Sequence, residues 1–263
     1  TTEVSPCVCV FCAVPHRTVL THRKPPRTLQ PAPASDTQTP PLVAHHVHSQ
    51  AADKATVSDA VPRQGFVLLD SSIAIVRIES ARKTGGELPI DDIFVDSHAA
   101  ARVVVERLIA MGHRRIAMVA GVGGPQGVRV QGYRQTLASH GLEPLVVAEQ
   151  GFTESDGLDA ANAILDSGFN PTAIFAANDL MAIGVMQALR SRNIAVPGEI
   201  AVVGFDNISA APLVTPPLTT VTQFQDRMGE RAATILMQRL HGELTGSGTA
   251  QEMPFELIER GSA

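Results

Sequence analysis

T-A-I-F-A-A-N-D-L-M-A-I-G-V-M-Q-A-L-R-S-R-N-I-A-V-P-G-E-I-A-V-V-G-F, Thr172 to Phe205, is the stretch whose reading decides the fold. Two short apolar, β-prone runs, Thr172–Ala177 and Ile200–Phe205, flank an amphipathic run, Asp179–Arg192. That pattern predicts one βαβ unit, because parallel strands need a crossover of this kind. Asn178 falls where the first strand gives way to the helix, and Asn is a good N-cap. Asp206 follows the second strand directly. Both side chains are therefore placed at the carboxyl edge of a parallel sheet, where open α/β folds put their ligands. Two readings stay open on geometry alone. Asn178 either only caps or also binds, and Asp206 either only opens a turn or also binds.

Upstream the same alternation continues. Gly65–Leu69 and Ile73–Ile78 are apolar, β-branched runs, followed by a Gly-containing loop at Ala81–Pro89 and a short strand at Ile93–Asp96. A helix over Ala99–Met111 follows, with Ala100, Val104, Leu108 and Met111 on one stripe and Gly112 as its C-cap. Ile116–Ala120 is the next strand. The Gly-rich run Gly121–Gly127 lacks the Gly-Lys-Ser/Thr ending of a phosphate loop and reads as a connection crossing between two lobes. Val130, Tyr133 and Leu137 continue an apolar stripe, then come strand Leu145–Ala148 and helix Glu154–Ser167. Downstream, Pro216-Pro217 keeps the chain out of a helix. A strand at Leu218–Thr222, a long helix at Gln225–Leu240 and a last strand at Phe255–Ile258 complete the pattern.

Several of these strings resemble the effector-binding domain of the LacI/GalR transcriptional regulators, which shares its fold with periplasmic sugar-binding proteins. They are A-N-D-L-M-A-I-G-V-M-Q-A-L, V-P-G-E-I-A-V-V-G-F-D-N, L-I-A-M-G-H-R-R-I-A-M-V-A-G, R-V-Q-G-Y, P-P-L-T-T-V and E-L-I-E-R-G-S, in order over about Gly65 to Ala263. One departure is Ser97, where the family carries Asn after Asp96. The resemblance implies two α/β lobes, each a parallel sheet flanked by helices, with a small ligand in the cleft between them. The first lobe would take about 65–121 and part of 225–263, the second about 122–224. It implies a repressor core that senses a sugar or a purine- or nucleoside-like effector, works as a homodimer, and reaches operator DNA through a helix-turn-helix headpiece. P-P-L-T-T-V argues against the alternative, a periplasmic sugar-binding protein for transport or chemotaxis.

The resemblance nominates the ligand residues. Arg129 is the Arg of R-x-x-G-[YF/W], which reaches into the cleft. Its guanidinium presents two in-plane donors to a carboxylate or adjacent hydroxyls. Asn178 donates and accepts, and Asp206 accepts from hydroxyls or a purine N–H. Phe152 matches a position where the family often has a stacking aromatic, although a core Phe explains it nearly as well. Gln225, just past a strand, is a further candidate. His113 has no carboxylate, Ser or Cys partner nearby in sequence and reads as a turn or cap residue. Asp179, Asp206 and Asp226 supply carboxylates without a catalytic triad, metal triad or phosphate loop. The reading is therefore not an enzyme, with no metal and no cofactor.

Composition agrees. The 263 residues are 44% hydrophobic and 18% charged, suited to a globular core, and the net charge of −5 is unlike a nucleic-acid module. No apolar run is long enough to cross a bilayer, and no export signal is recognisable at the start. The three cysteines all lie within Cys7–Cys12, which excludes a disulfide framework and fits a cytoplasmic setting. Residues 1–62 break the pattern. They hold nine of the eighteen prolines, five of the nine histidines and none of the twenty-one glycines. Such a segment buries too little apolar surface to offset its ordering entropy, so it is predicted to be disordered, or translated out of frame. No helix-turn-helix is recognisable in it. Cys7, Cys9, Cys12 and His16 lack the paired-knuckle spacing of a zinc site. The four Lys/Arg of Arg17–Arg27 read as a solvated tail.

Overall fold

The computed structural model describes residues 8–12, 74–79, 90–122, 124–149 and 151–263, all within one compact unit. The possible strand at Gly65–Leu69, the loop at Ala81–Pro89, Cys7, His16, Arg17–Arg27 and most of the Pro-rich segment lie outside the described residues.

Ten strands and five helices are found among the described residues. Four strands form one all-parallel sheet in the order β1 (Val8–Cys12), β2 (Ala74–Glu79), β3 (Asp91–Phe94), β9 (Ala250–Glu252). A second sheet holds six strands in the order β10 (Glu256–Ile258), β8 (Thr219–Thr222), β7 (Ala201–Asp206), β6 (Ala173–Ala176), β4 (Ile116–Gly121), β5 (Leu145–Glu149). It is parallel except for β10, which runs antiparallel to β8. The helices are α1 (Ser97–Ala110), α2 (Gly124–Ser139), α3 (Glu154–Asp166), α4 (Asp179–Ser191) and α5 (Gln225–Leu240).

Period-two alternation sorts the six-stranded sheet into two faces. Ile116, Met118, Ala120, Phe175, Val203 and Phe205 point to one side, where Val104, Leu108, Tyr133 and Leu137 of α1 and α2 cover them. Ala117, Val119, Ile174, Ala176 and Val202 point to the other, against Ile164, Met181, Val185 and Leu189 of α3 and α4. Both faces are buried, which is why these strands read as continuous apolar runs. Tyr133 fastens α2 to the sheet. Its hydroxyl donates to Ile116 O (2.7 Å) and accepts from Leu145 N (3.0 Å). In the four-stranded sheet, Val76, Ile93 and Val95 pack under Met228, Ala232, Ile235 and Leu236 of α5.

Arg239 locks the far end of α5. It grips Asp91 with Nε and Nη2 (2.8 and 3.0 Å) and donates to the carbonyls of Leu244, Gly246 and Ser247. Burial would raise the Asp91 pKa, but the hydrogen bonds from Arg239 and Thr249 hold it below the usual value. Arg77 makes a similar fork to buried Asp92, 2.6 Å at both contacts.

Four expectations change. The lobe division at 121–122 does not match the sheets: α1 and β4 belong to the six-stranded sheet, and so does β10. The first crossing is at Val95–Asp96, not in Gly121–Gly127, where α2 already begins at Gly124. Within the segment predicted to be disordered, Val8–Cys12 is a strand paired with β2. Met111, predicted to lie on the apolar stripe of α1, is instead its C-cap and 43% exposed, because the helix ends at Ala110.

Candidate functional site

The carboxyl ends of β4, β5, β6 and β7 bring five groups together. Asn178 follows β6 with extended backbone (φ −151°, ψ 168°) and caps α4, its Oδ1 accepting from Met181 N at 2.7 Å. Its Nδ2 donates to Phe152 O at 3.0 Å, so the same side chain fixes the β5–α3 connection. The ring of Phe152 lies against Gly121 at the end of β4. Gln126, buried in the first turns of α2, accepts from Gly121 N and ties that helix to the same edge.

Arg129 enters from α2 and is 4% exposed. Its Nη1 donates to Ala177 O, and its guanidinium carbon stands 3.6 Å from the centroid of the Phe205 ring. Its Nη2 reaches Asp206 Oδ1 at 3.5 Å, and its buried Nε has no hydrogen-bond partner. Asp206 ends β7 with φ at 108°, a left-handed conformation that L residues rarely adopt. Its side chain keeps 24% exposure, so it faces open space as well as Arg129.

Loss of water dominates the electrostatics. Burial raises the Asp206 pKa, and the Arg129 charge and the Gln223 hydrogen bond pull it back only in part. Burial likewise lowers the Arg129 pKa, opposed by Asp206 and Asp179. Neither charge fully compensates the other, so the pair remains receptive to further polar partners. Asp179, the first residue of α4, is wholly buried. Burial and the nearby Asp206 raise its pKa to about 6, against hydrogen bonds from Thr220 Oγ1 (2.5 Å) and Ile208 N (2.8 Å).

Of the sequence candidates, Arg129, Asn178, Asp206 and Phe152 share this one edge. Gln225 does not: it is exposed in the first turn of α5. Gln223, two residues earlier, donates its Nε2 to Asp206 Oδ1 at 2.7 Å. It lies on the segment that carries the chain from β8 to α5, so it joins the crossing to the binding edge. Gln223, Gln126 and Asp179 were not singled out as site residues. Only Asp179 carries a sequence signal, in the N-D at the helix start. His113 serves a turn, as expected, its Nδ1 3.1 Å from Thr172 Oγ1. Among the described residues no group of three His, Cys, Asp or Glu is placed to hold a metal. Nor is any described helix long and apolar enough to cross a membrane. A forked cation, a partly open carboxylate, an amide and a ring edge suit a small molecule rich in hydroxyls.

Residues 105–263 match the family described as a periplasmic binding protein-like domain. The chain is 32% identical over 240 residues to the HTH-type transcriptional repressor CytR of Escherichia coli, covering 84% of this chain and 69% of that one. It is 39% identical over 165 residues to the ribose operon repressor of Escherichia coli, covering 61% and 50%. Its structure resembles that of the transcriptional regulator CelR in complex with cellobiose, at TM-score 0.67, 33% identity, and coverage of 73% and 59%. These relatives are transcriptional regulators, not enzymes, and they favour that reading over a transport protein. The fold, the motifs and these likenesses agree: the chain belongs to the LacI/GalR family of transcriptional regulators.

Proposed function

We propose that the edge formed by Arg129, Asn178, Asp206, Phe152 and Gln223 binds a sugar effector. The observation that carries this is the Arg129–Asp206 pair. A buried guanidinium with an unpartnered Nε faces a carboxylate that is still partly open. A hydroxyl placed at this pair can accept from the Arg129 guanidinium and donate to Asp206. The solved relative bound to cellobiose and the ribose operon repressor support a sugar over other small molecules. The chain then acts as the sensing core of a repressor that works as a homodimer and grips operator DNA through a helix-turn-helix headpiece. The effector's influence on DNA binding is limited to its differential affinity for the two arrangements of the sheets.

Thermal melting against D-ribose, cellobiose, other sugars and nucleosides tests this. A ligand at a hundred times its Kd adds about 2.7 kcal/mol. In a domain of this size that is a rise of roughly 5–10 °C. The rise should vanish in Asp206→Ala and Arg129→Ala. A rise that survives both substitutions places the ligand elsewhere.

A further inference from the structure

Asp206 and Asn207 are consecutive non-glycine residues with positive φ, 108° and 52°. Such a turn is costly for L residues and persists only where its surroundings over-determine it. The surroundings are identifiable. Asn207 N donates to Thr220 Oγ1 (3.3 Å), and Ile208 N donates to Asp179 Oδ2 (2.8 Å). The third hold comes from the far end of the sequence. Arg260 Nη2 donates to Asn207 Oδ1 at 2.7 Å, although 53 positions separate the two residues.

Arg260 is itself rigidly placed. Its Nη1 donates to Leu218 O (2.7 Å) and its backbone N to Thr219 Oγ1 (2.9 Å). The next residues bind both neighbouring strands. Ser262 Oγ accepts from Thr219 N of β8 (2.8 Å) and donates to Val202 O of β7 (2.6 Å), and Val202 N donates to Ser262 O. The Arg-Gly-Ser end of E-L-I-E-R-G-S is thus anchored where β7 and β8 begin, with its one long cation turned onto the residue after Asp206.

We propose that Arg260 is a positioning residue for effector binding: through Asn207 it locks the left-handed turn that aims the Asp206 carboxylate at Arg129. This rests on Asp206 being an effector contact. Arg260 makes its hydrogen bonds to Leu218, Thr219 and Asn207, not to Asp206, so its influence is transmitted by one side-chain hydrogen bond and one peptide unit. An anchor that served only to staple the chain end would need the bonds to Leu218 and Thr219, not the fork arm on Asn207.

Hydrogen–deuterium exchange on the ligand-free full chain reads the turn without needing a ligand. In Arg260→Ala, the peptide spanning residues 205–209 should exchange about tenfold faster, with α3 unchanged. Arg260→Lys, which loses the fork but keeps a donor, should fall between. Calorimetric titration with D-ribose and cellobiose then reads the consequence. Arg260→Ala and Asn207→Ala should each raise Kd about tenfold, and the double variant no further than either single. Unchanged exchange at 205–209, or a lowered melting temperature with wild-type exchange and Kd, makes Arg260 a staple and overturns the proposal. The effector reading fails separately, if Asp206→Ala binds as tightly as wild type.

Discussion

Gly121→Ala should damage the binding edge through a single methyl group. Built on the Gly121 backbone, a Cβ would stand 2.3 Å from Phe152 Cε1, 2.4 Å from Cδ1 and 2.8 Å from Gly151 O, where ordinary contact begins near 3.4 Å. The ring must therefore withdraw by at least about 1.1 Å (3.4 − 2.3), and the carbonyl by about 0.6 Å (3.4 − 2.8). The backbone of Phe152 cannot follow freely, because Asn178 holds its carbonyl. Most of the movement thus falls on the side-chain torsions, at about 0.5–1.5 kcal/mol for an off-rotamer ring. With overpacking in the range of about 1–3 kcal/mol and a gain of about 0.4–1 kcal/mol from a stiffer unfolded chain, the net loss is about 0.5–4 kcal/mol. If the ring stacks on a sugar face, its displacement also forfeits about 0.5–1.5 kcal/mol of binding, up to roughly tenfold in Kd. Urea unfolding gives the first quantity, and titration with whichever sugar shifts the melt gives the second. In a Phe152→Ala background the two ring contacts are gone while the Gly151 carbonyl at 2.8 Å remains, and both penalties should shrink below about 1 kcal/mol. Equal penalties in the two backgrounds would refute the steric argument, and wild-type affinity in Gly121→Ala would remove Phe152 from the site.

Two further substitutions test the frame around the edge. At Gly184, where α4 crosses α3, a Cβ would stand 1.9 Å from Glu154 O and 2.7 Å from Leu158 N, both backbone atoms that cannot rotate away. Gly184→Ala should cost more than about 3 kcal/mol in urea unfolding, whereas Gly229→Ala, with nothing within 4 Å, should gain about 1 kcal/mol of helix propensity. A neutral Gly184→Ala would mean the two helices do not approach this closely. Asp179 makes a pH-dependent contribution of unusual sign. Its folded pKa of about 6 exceeds the unfolded value near 3.9. Its stabilisation is thus fully present below about pH 4 and lost as pH rises through 6. Relative to Asp179→Asn, wild type should gain up to about 3 kcal/mol between pH 8 and pH 4; no change in that difference would show that the carboxyl titrates normally.

The βαβ unit at Thr172–Asp206 was legible because its period switches from apolar run to amphipathic stripe and back, and because Asn178 marks the junction. That placed Asn178 and Asp206 at the carboxyl edge before any contact was known. What failed is what long-range pairing decides. Ile116–Gly121 is an apolar run that suits a buried strand of either sheet; its pairing with Ala173–Ala176 on one side and Leu145–Glu149 on the other assigns it to the six-stranded one. The α2 helix was hidden by G-V-G-G-P-Q-G. Pro125 reads as a breaker, yet in a first turn its missing N–H costs nothing. Local pattern favours Gln225 over Gln223 because it cannot show that Phe224 takes φ 50° and starts α5 there. The strand β9 is three residues with no apolar alternation, and Val8–Cys12 was averaged away by the proline count around it.

Several unfavourable features meet at this edge, although Asn170, Asn193 and Ser97 carry others elsewhere. Asp206 and Asn207 hold positive φ, Arg129 leaves a buried Nε unpaired, and Asp179 and Asp206 are both pulled toward their neutral forms by burial. Such features survive only where packing elsewhere outweighs them, and they collect where a ligand relieves them. If a sugar hydroxyl bridges the Arg129–Asp206 pair as proposed, it competes for Asp206 Oδ1, the atom Gln223 already holds. Gln223 sits on the segment leading into α5, which covers the other sheet. On the proposed reading, that competition is the differential contact with the crossing that a change in how the two sheets are arranged requires.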